Sequence, residues 1–273
     1  ALTYSNEAFH ISQVANNIWG QSYSRFLVGT VYWEYGQPGQ AITVTADGVH
    51  LSEVAGFVAG QVVTRATLGV IYAGLGAAER GIELVDQALG IVSSAAQFHR
   101  VSILAALAQI HLLHGNLAEA EAALSRAKAD PHRADLPIHF LPVILADGEL
   151  ALRQSDYARA VTTTDDLLAA LDQYGMGKYR SDALYFHGRA LLAQGQPEAA
   201  RRRLLEAHAV AETIGSRRML WRVLFALSQL EANPSEAEPL HQRAREIVAY
   251  IADHTPADLR DSFLGLPQVR EVM

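Results

Sequence analysis

At 273 residues, half of them apolar and only 19% charged, the chain has ample material for a buried core, which excludes a disordered polyelectrolyte. A formal charge of −7 and a pI near 5.9 supply no basic footprint of the kind that nucleic acid or an anionic membrane surface requires. The absence of cysteine removes disulfide frameworks and every thiolate-based metal site or nucleophile.

In chain order, residues 1–17 read as one helix. Ala8 lies 21 residues before Gly29, as Gly48 lies 21 before Gly69, so this stretch matches the second half of a helical hairpin whose first half would precede it. From there a helix-sized segment brings a small residue to the same point six times, at Gly29, Gly69, Ala108, Gly148, Gly188 and Ala226, spaced by 40, 39, 40, 40 and 38 residues. Such a period is the mark of stacked helical repeats. Seven residues after each small position comes a break, at Gly36, Gly76, Gly115, Gln154-Ser155, Gly195 and Asn233, where Gly and Asn tolerate the left-handed conformation that ends a helix. Pro38 and Pro197 stand where the next helix starts, and Asp156 is placed to cap another.

The second helix of each unit carries two further small positions. The first is Ala41, Gly81, Ala120, Ala160, Ala200 and Ala237; the second is Gly48, Ala88, Ala127, Leu167, Ala207 and Ala244, with Leu167 as the exception. Glycine inside a helix costs roughly 1 kcal/mol relative to alanine, so its recurrence calls for a compensating close contact between backbones. Apolar residues fill the gaps at helical spacing, as in Leu68, Ile71, Tyr72 and Leu75, or Leu184, Leu191 and Leu192. The charged run Glu198, Arg201, Arg202, Arg203 and Glu206 reads as a solvated outer face. The apolar stretch from Ala55 to Ala78 carries Gln61, Thr64, Arg65 and Thr67 and reads as a buried helix, not a membrane span.

These positions resemble the tetratricopeptide repeat (TPR), most closely at Leu27-Gly29-Tyr32-Gly36-Ala41-Gly48 and Leu68-Gly69-Tyr72-Gly76-Gly81-Ala88. Later units have His111, Ala151, Leu191 and Gln229 in place of the tyrosine. The resemblance implies an all-α, right-handed superhelical solenoid of antiparallel helix pairs. Its units would be 18–55, 56–95, 96–134, 135–174, 175–215 and 216–254, after an N-terminal half repeat at 1–17 and before a C-terminal cap and tail at 255–273. In the cap, Thr255 is expected to act as the N-cap, with Pro256 in the first turn and Phe263, Leu264 and Leu266 covering the last repeat. A period near 40, against the family's usual 34, is similar to the long repeats in regulatory arms of bacterial signalling ATPases, LuxR-type transcription activators and adenylate or guanylate cyclases. The closing segment from Ile251 to Met273 is similar to endings of such proteins. Resemblance to these proteins implies a non-catalytic, cytoplasmic regulatory segment of a larger chain.

Few residues point to chemistry. His111 and His114 lie three apart on one helix without an acidic or sulfur ligand at matching spacing, so His111 is expected to fill the tyrosine slot structurally. His132 and His139 flank the loop from Asp130 to Pro137, where solvated or capping roles are expected. Gly175-Met176-Gly177-Lys178-Tyr179 lacks the upstream glycine and the hydroxyl of a phosphate loop. Asp165 and Asp166, adjacent on a helix, point about 100° apart and do not form an acid–base pair. No catalytic residue, metal site or cofactor is assigned.

In the TPR family the first helices line the inner, concave wall. Carried onto this chain, the partner-facing positions are Tyr23, Phe26, Thr30, Trp33 and Glu34 in the first full unit, then Gln109, Glu149, Arg153, Tyr185, Arg189 and Arg222. The aromatics suit a hot spot or contact with a neighbouring helix, and the tyrosine with its arginines suits carboxylates of an extended peptide. The expected partner is a protein or peptide, or other domains of the parent chain, with self-association through the aromatic end also open; no direct nucleic-acid or membrane contact is expected. The alternative is a sensor holding a sugar or metabolite in the groove.

Overall fold

The computed structural model describes residues 2–92 and 96–273, and these fold into fifteen α-helices joined by short turns. Residue 1 and the expected unit boundary at 95 lie outside the described residues. After α1 (Leu2–Val14) come six helical hairpins: α2 (Ile18–Glu34) with α3 (Pro38–Val54), α4 (Val58–Gly74) with α5 (Ala78–Ile91), and α6 (Arg100–Leu113) with α7 (Leu117–Ala129), followed by α8 (Leu141–Arg153) with α9 (Tyr157–Gln173), α10 (Arg180–Ala193) with α11 (Pro197–Ile214), and α12 (Arg217–Leu230) with α13 (Pro234–Asp253). Two short helices, α14 (Ala257–Leu264) and α15 (Pro267–Arg270), close the chain, and short 3₁₀ turns at Gln97–His99 and Pro137–His139 lead into α6 and α8.

The small positions are where paired helices touch. A methyl group built on Gly69 would sit 2.7 Å from the carbonyl oxygen of Gly81, and one on Gly81 would sit 2.5 Å from the carbonyl oxygen of Gly69. Backbone therefore lies on backbone, and no L side chain fits without parting the helices. All the expected small positions are buried except Ala237, which is half-exposed. The reason lies in the last hairpin: its slot slips because α13 begins at Pro234, and Asn233 serves as the N-cap of that helix, its side chain accepting from the Ser235 amide. Asn233 thus starts a helix instead of ending one.

The other breaks behave as the residues dictate. Gly36, Gly76, Gly115 and Gly195 have φ between 70° and 88°, and Ser155 accepts the same left-handed conformation at φ 62°. Pro38 and Pro197 open α3 and α11, while the Asp156 carboxylate accepts from the Arg159 amide at the head of α9. The cap segment departs from expectation at one residue. The Thr255 hydroxyl turns back to donate to the Ile251 carbonyl at 2.8 Å, leaving α14 to begin without a side-chain cap.

Burial forms a band through the hairpins and then joins its ends. One apolar cluster runs from α4 through α8, and a second from α8 to α12. The third brings Leu68, Ile71, Tyr72 and Leu75 of α4 against Trp221 and Leu224 of α12, Ile247 and Ile251 of α13, and Leu259, Phe263, Leu266, Val269 and Val272 of the closing segment. The cap therefore covers the last hairpin and the α4 hairpin together. At Gly188, a Cβ atom would meet Leu204 Cγ at 2.9 Å and the Ala200 carbonyl oxygen at 3.2 Å. Gly188→Leu is accordingly expected to destabilise the fold by roughly 1–3 kcal/mol, measured as a lower midpoint in denaturant melts.

Candidate functional site

The first helices of the hairpins face one another across the interior. A cavity of about 40 Å³ is lined from α2 by Trp33, from α4 by Val70 and Gly74, from α6 by Gln109 and Leu113, and from α12 by Arg218, Trp221 and Arg222. Phe263, Leu266, Gln268 and Val269 of the closing segment complete its wall. The closing segment thus rests on the inner wall of the stack. The physical cause is the apolar stripe Leu259, Phe263, Leu266, Val269 and Val272, which is buried there.

A polar clasp fixes the same closure. The guanidinium of Arg218 donates from Nε to Glu34 at 2.9 Å and forks onto both oxygens of Asp182, each at 2.9 Å. The Ser216 hydroxyl donates to Glu34, and Arg217 donates to the Tyr35 carbonyl. Two more bonds tie α3 to α13, from the Gln37 side chain to the Tyr250 hydroxyl at 2.8 Å and from the Gly39 amide to the His254 carbonyl at 2.9 Å. Burial opposes the charge on Arg218, but attraction to Asp182 and Glu34 outweighs it and holds the pKa above the ordinary arginine value.

The residues taken from the sequence fall into separate places. Tyr23 is exposed and stacks on Trp19 with ring centroids 6.2 Å apart, Trp19 in turn touching Phe57. Trp33, three turns along the same helix, lies inside against Gly74, so the aromatics of α2 form no single patch. Phe26 is half-buried, its carbonyl accepting from the Thr30 hydroxyl. Glu34 belongs to the clasp. On the far wall Glu149 is buried and accepts from Arg153 Nε and Nη2 at 3.0 and 2.9 Å, while Arg189 donates to the Tyr185 hydroxyl at 2.9 Å. Gln109 and Arg222 line the cavity, and Arg222 Nε is buried with no hydrogen-bond partner among the described residues.

Asp182 and Arg218 were missed by sequence reading, and no local signal marks them, because the ion network joins residues 36 and 184 positions apart. The histidines settle into structural roles. His114 Nε2 bonds the Ala73 carbonyl at 3.1 Å, and burial lowers the pKa of His111 against opposing pulls from Glu119 and Asp86. His132 contacts Asp135 at 2.8 Å. His139 is not solvated as expected: its ring meets His99 edge-on at 4.8 Å and Phe98 at 5.6 Å, because the two 3₁₀ turns pack together. Among the described residues no three His, Asp or Glu side chains gather to hold a metal ion, and no helix is long and apolar enough to cross a membrane.

Paired helices stacked in this way form the fold of a tetratricopeptide-repeat solenoid. The chain is similar to a subunit in the structure of the APC/C hetero-tetramer Cut9–Hcn1, with a TM-score of 0.58 at 13% identity over 98% of this chain and 46% of that one. It is equally similar to the signal transduction ATPase with numerous domains (STAND) from Pyrococcus horikoshii that carries a tetratricopeptide repeat sensor, with a TM-score of 0.58 at 14% identity over 97% of this chain and 40% of that one. This chain therefore spans less than half the length of either. No family model and no curated protein sequence matches it.

The clasp and the histidine contact each have a measurable consequence. Removing the guanidinium in Arg218→Met leaves Glu34 and Asp182 without a counter-charge, and is expected to cost about 2–4 kcal/mol in denaturant melts, at or just under the range for a fully buried pair because Glu34 reaches solvent. Burial first, and His139 second, lower His99 from 6.5 to about 4. The unfolded chain therefore binds more protons than the native state between those values, and stability present above pH 6.5 is lost as the pH falls toward 4. The thermal midpoint is expected to drop across that window, with a shallower slope in His99→Phe.

Proposed function

We propose that this chain is a protein-interaction and regulatory module, which holds a partner protein or peptide, or other domains of its parent, against the inner wall of the solenoid. The observation that carries this reading is the set of polar groups on α8 and α10, where Glu149 with Arg153 and Tyr185 with Arg189 form two internally satisfied pairs of hydrogen-bonding groups. Guanidinium and phenol groups held in fixed geometry present donors to an extended backbone or an acidic side chain at little entropic cost. Tetratricopeptide-repeat folds serve as interaction scaffolds, and the similarity to Cut9–Hcn1, an assembly of several chains, supports a partner-binding role. A place in bacterial signalling or transcription control is favoured by the long repeat period and by the closing segment from Ile251 to Met273.

The second reading, a sensor for a small metabolite, is supported by one observation: the neighbour from Pyrococcus horikoshii joins a signal-transduction ATPase to a repeat sensor of this fold. The readings separate by experiment. Peptides selected from a random display library on the full chain are expected to bind at least tenfold more weakly to Arg189→Ala with Tyr185→Phe, neither of which removes a hydrogen bond of the clasp and the second of which keeps the ring that packs on the closure. Affinity unchanged by that pair would sink the assignment of this wall. A metabolite at 100 times its dissociation constant would instead add about 2.7 kcal/mol of stability, visible in a thermal-shift screen.

A further inference from the structure

Arg222 differs from the other inner arginines. Arg153 is paired with Glu149, Arg189 with the Tyr185 hydroxyl, and Arg218, one turn before Arg222, with Glu34 and Asp182. Arg222 makes no hydrogen bond and no ion pair among the described residues, although its Nε is shielded from water. Its guanidinium carbon stands 5.2 Å from the Trp221 ring centroid, and the side chain forms part of the wall of the 40 Å³ cavity. Burial, reinforced by repulsion from Arg218, lowers its pKa, while Tyr185, Glu149 and Asp182 only partly offset those effects. The residue as a whole is half-buried, and it is the Nε edge that is cut off from water without a partner, a deficit that an acceptor in the cavity would make good.

We propose that the cavity beside Arg222 binds the carboxylate of a monoanionic ligand. The proposal deepens the reading of the inner wall as a binding surface and rests on it. The size of the cavity fits two or three waters or one carboxylate group. The planar guanidinium fork matches a carboxylate bidentately. Arg218 with Glu34 and Asp182 already carries one surplus negative charge, so the wall offers a single cation without a bonded carboxylate, Arg222, and this disfavours a phosphate dianion relative to a monoanion. Gln109 and Gln268 add amide groups, and Trp33, Val70, Leu113 and Phe263 suit the apolar carbon next to the carboxyl. That carboxylate belongs either to a short free acid or to the side chain or terminus of a bound peptide.

The test uses the full chain, at constant ionic strength, and reads tryptophan fluorescence, because two of the three tryptophans, Trp33 and Trp221, border the cavity. Sodium butyrate is titrated against butyramide, and a short apolar peptide with a free C-terminal carboxylate against its amidated form. A response to the acid form exceeding its amide by tenfold or more, abolished in Arg222→Met, is the expected result. Butyrate alone sufficing identifies a free acid; a response confined to the peptide identifies a partner segment. Without ligand, Arg222→Met is expected to melt at or above the wild-type midpoint. The inference is overturned if acids and amides act alike, if Arg222→Met responds as the wild type does, or if that variant is markedly less stable without ligand. Peptide binding that is lost in Arg189→Ala but retained in Arg222→Met would overturn the pocket while leaving the interaction module intact.

Discussion

The architecture depends on the distance at which two helices of a hairpin meet. Where Gly69 faces Gly81 there is no room for even one carbon between the backbones. Contact that close fixes the separation of the helices, and so fixes how each hairpin presents its other faces to the next. Larger residues are admitted only where the partner gives way, as at Leu167, buried in the cluster that also contains Leu141 and Leu184. The free-energy cost of glycine in a helix is tolerated because dispersion contacts along two nested backbones replace it.

On that frame the chain adds a closure that a repeating stack does not require. Arg218, Glu34 and Asp182 share one partly buried network, and the apolar closing segment covers α4 and α13 together. The two halves of the closure differ in character. The apolar half supplies most of the stabilisation, being an extended area removed from water. The ionic half fixes position, since three charges with directional bonds fit in one arrangement and are penalised in others.

The hairpins were legible because their determinants are local. Glycines at the turns, proline at the head of α3 and the aspartate cap of α9 each act within four residues, so spacing alone exposes them. Reading failed where that locality ends. Asn233 tolerates both a helix end and a helix start, and Pro234 beside it decides the outcome. Thr255 has the residue type of a cap but finds a carbonyl behind it. The clasp escaped for a stronger reason: Glu34 and Arg218 are ordinary charged residues on separate helices, and only the accumulated rotation of the hairpins between them brings them together. Periodicity assigns residues to the first helices of the hairpins, yet it does not distinguish Arg218, which is satisfied, from Arg222 one turn later, which is not.

Pinning the first full hairpin to the last changes how the molecule yields to force. An open stack lengthens by many small shears, each nearly free, and its extension grows smoothly with load. Here the bonds from Arg218, Arg217 and Gln37 hold against pulling until they part, after which the spring beneath is released. The response to load is therefore expected to show a threshold set by these bonds, with little extension before they part.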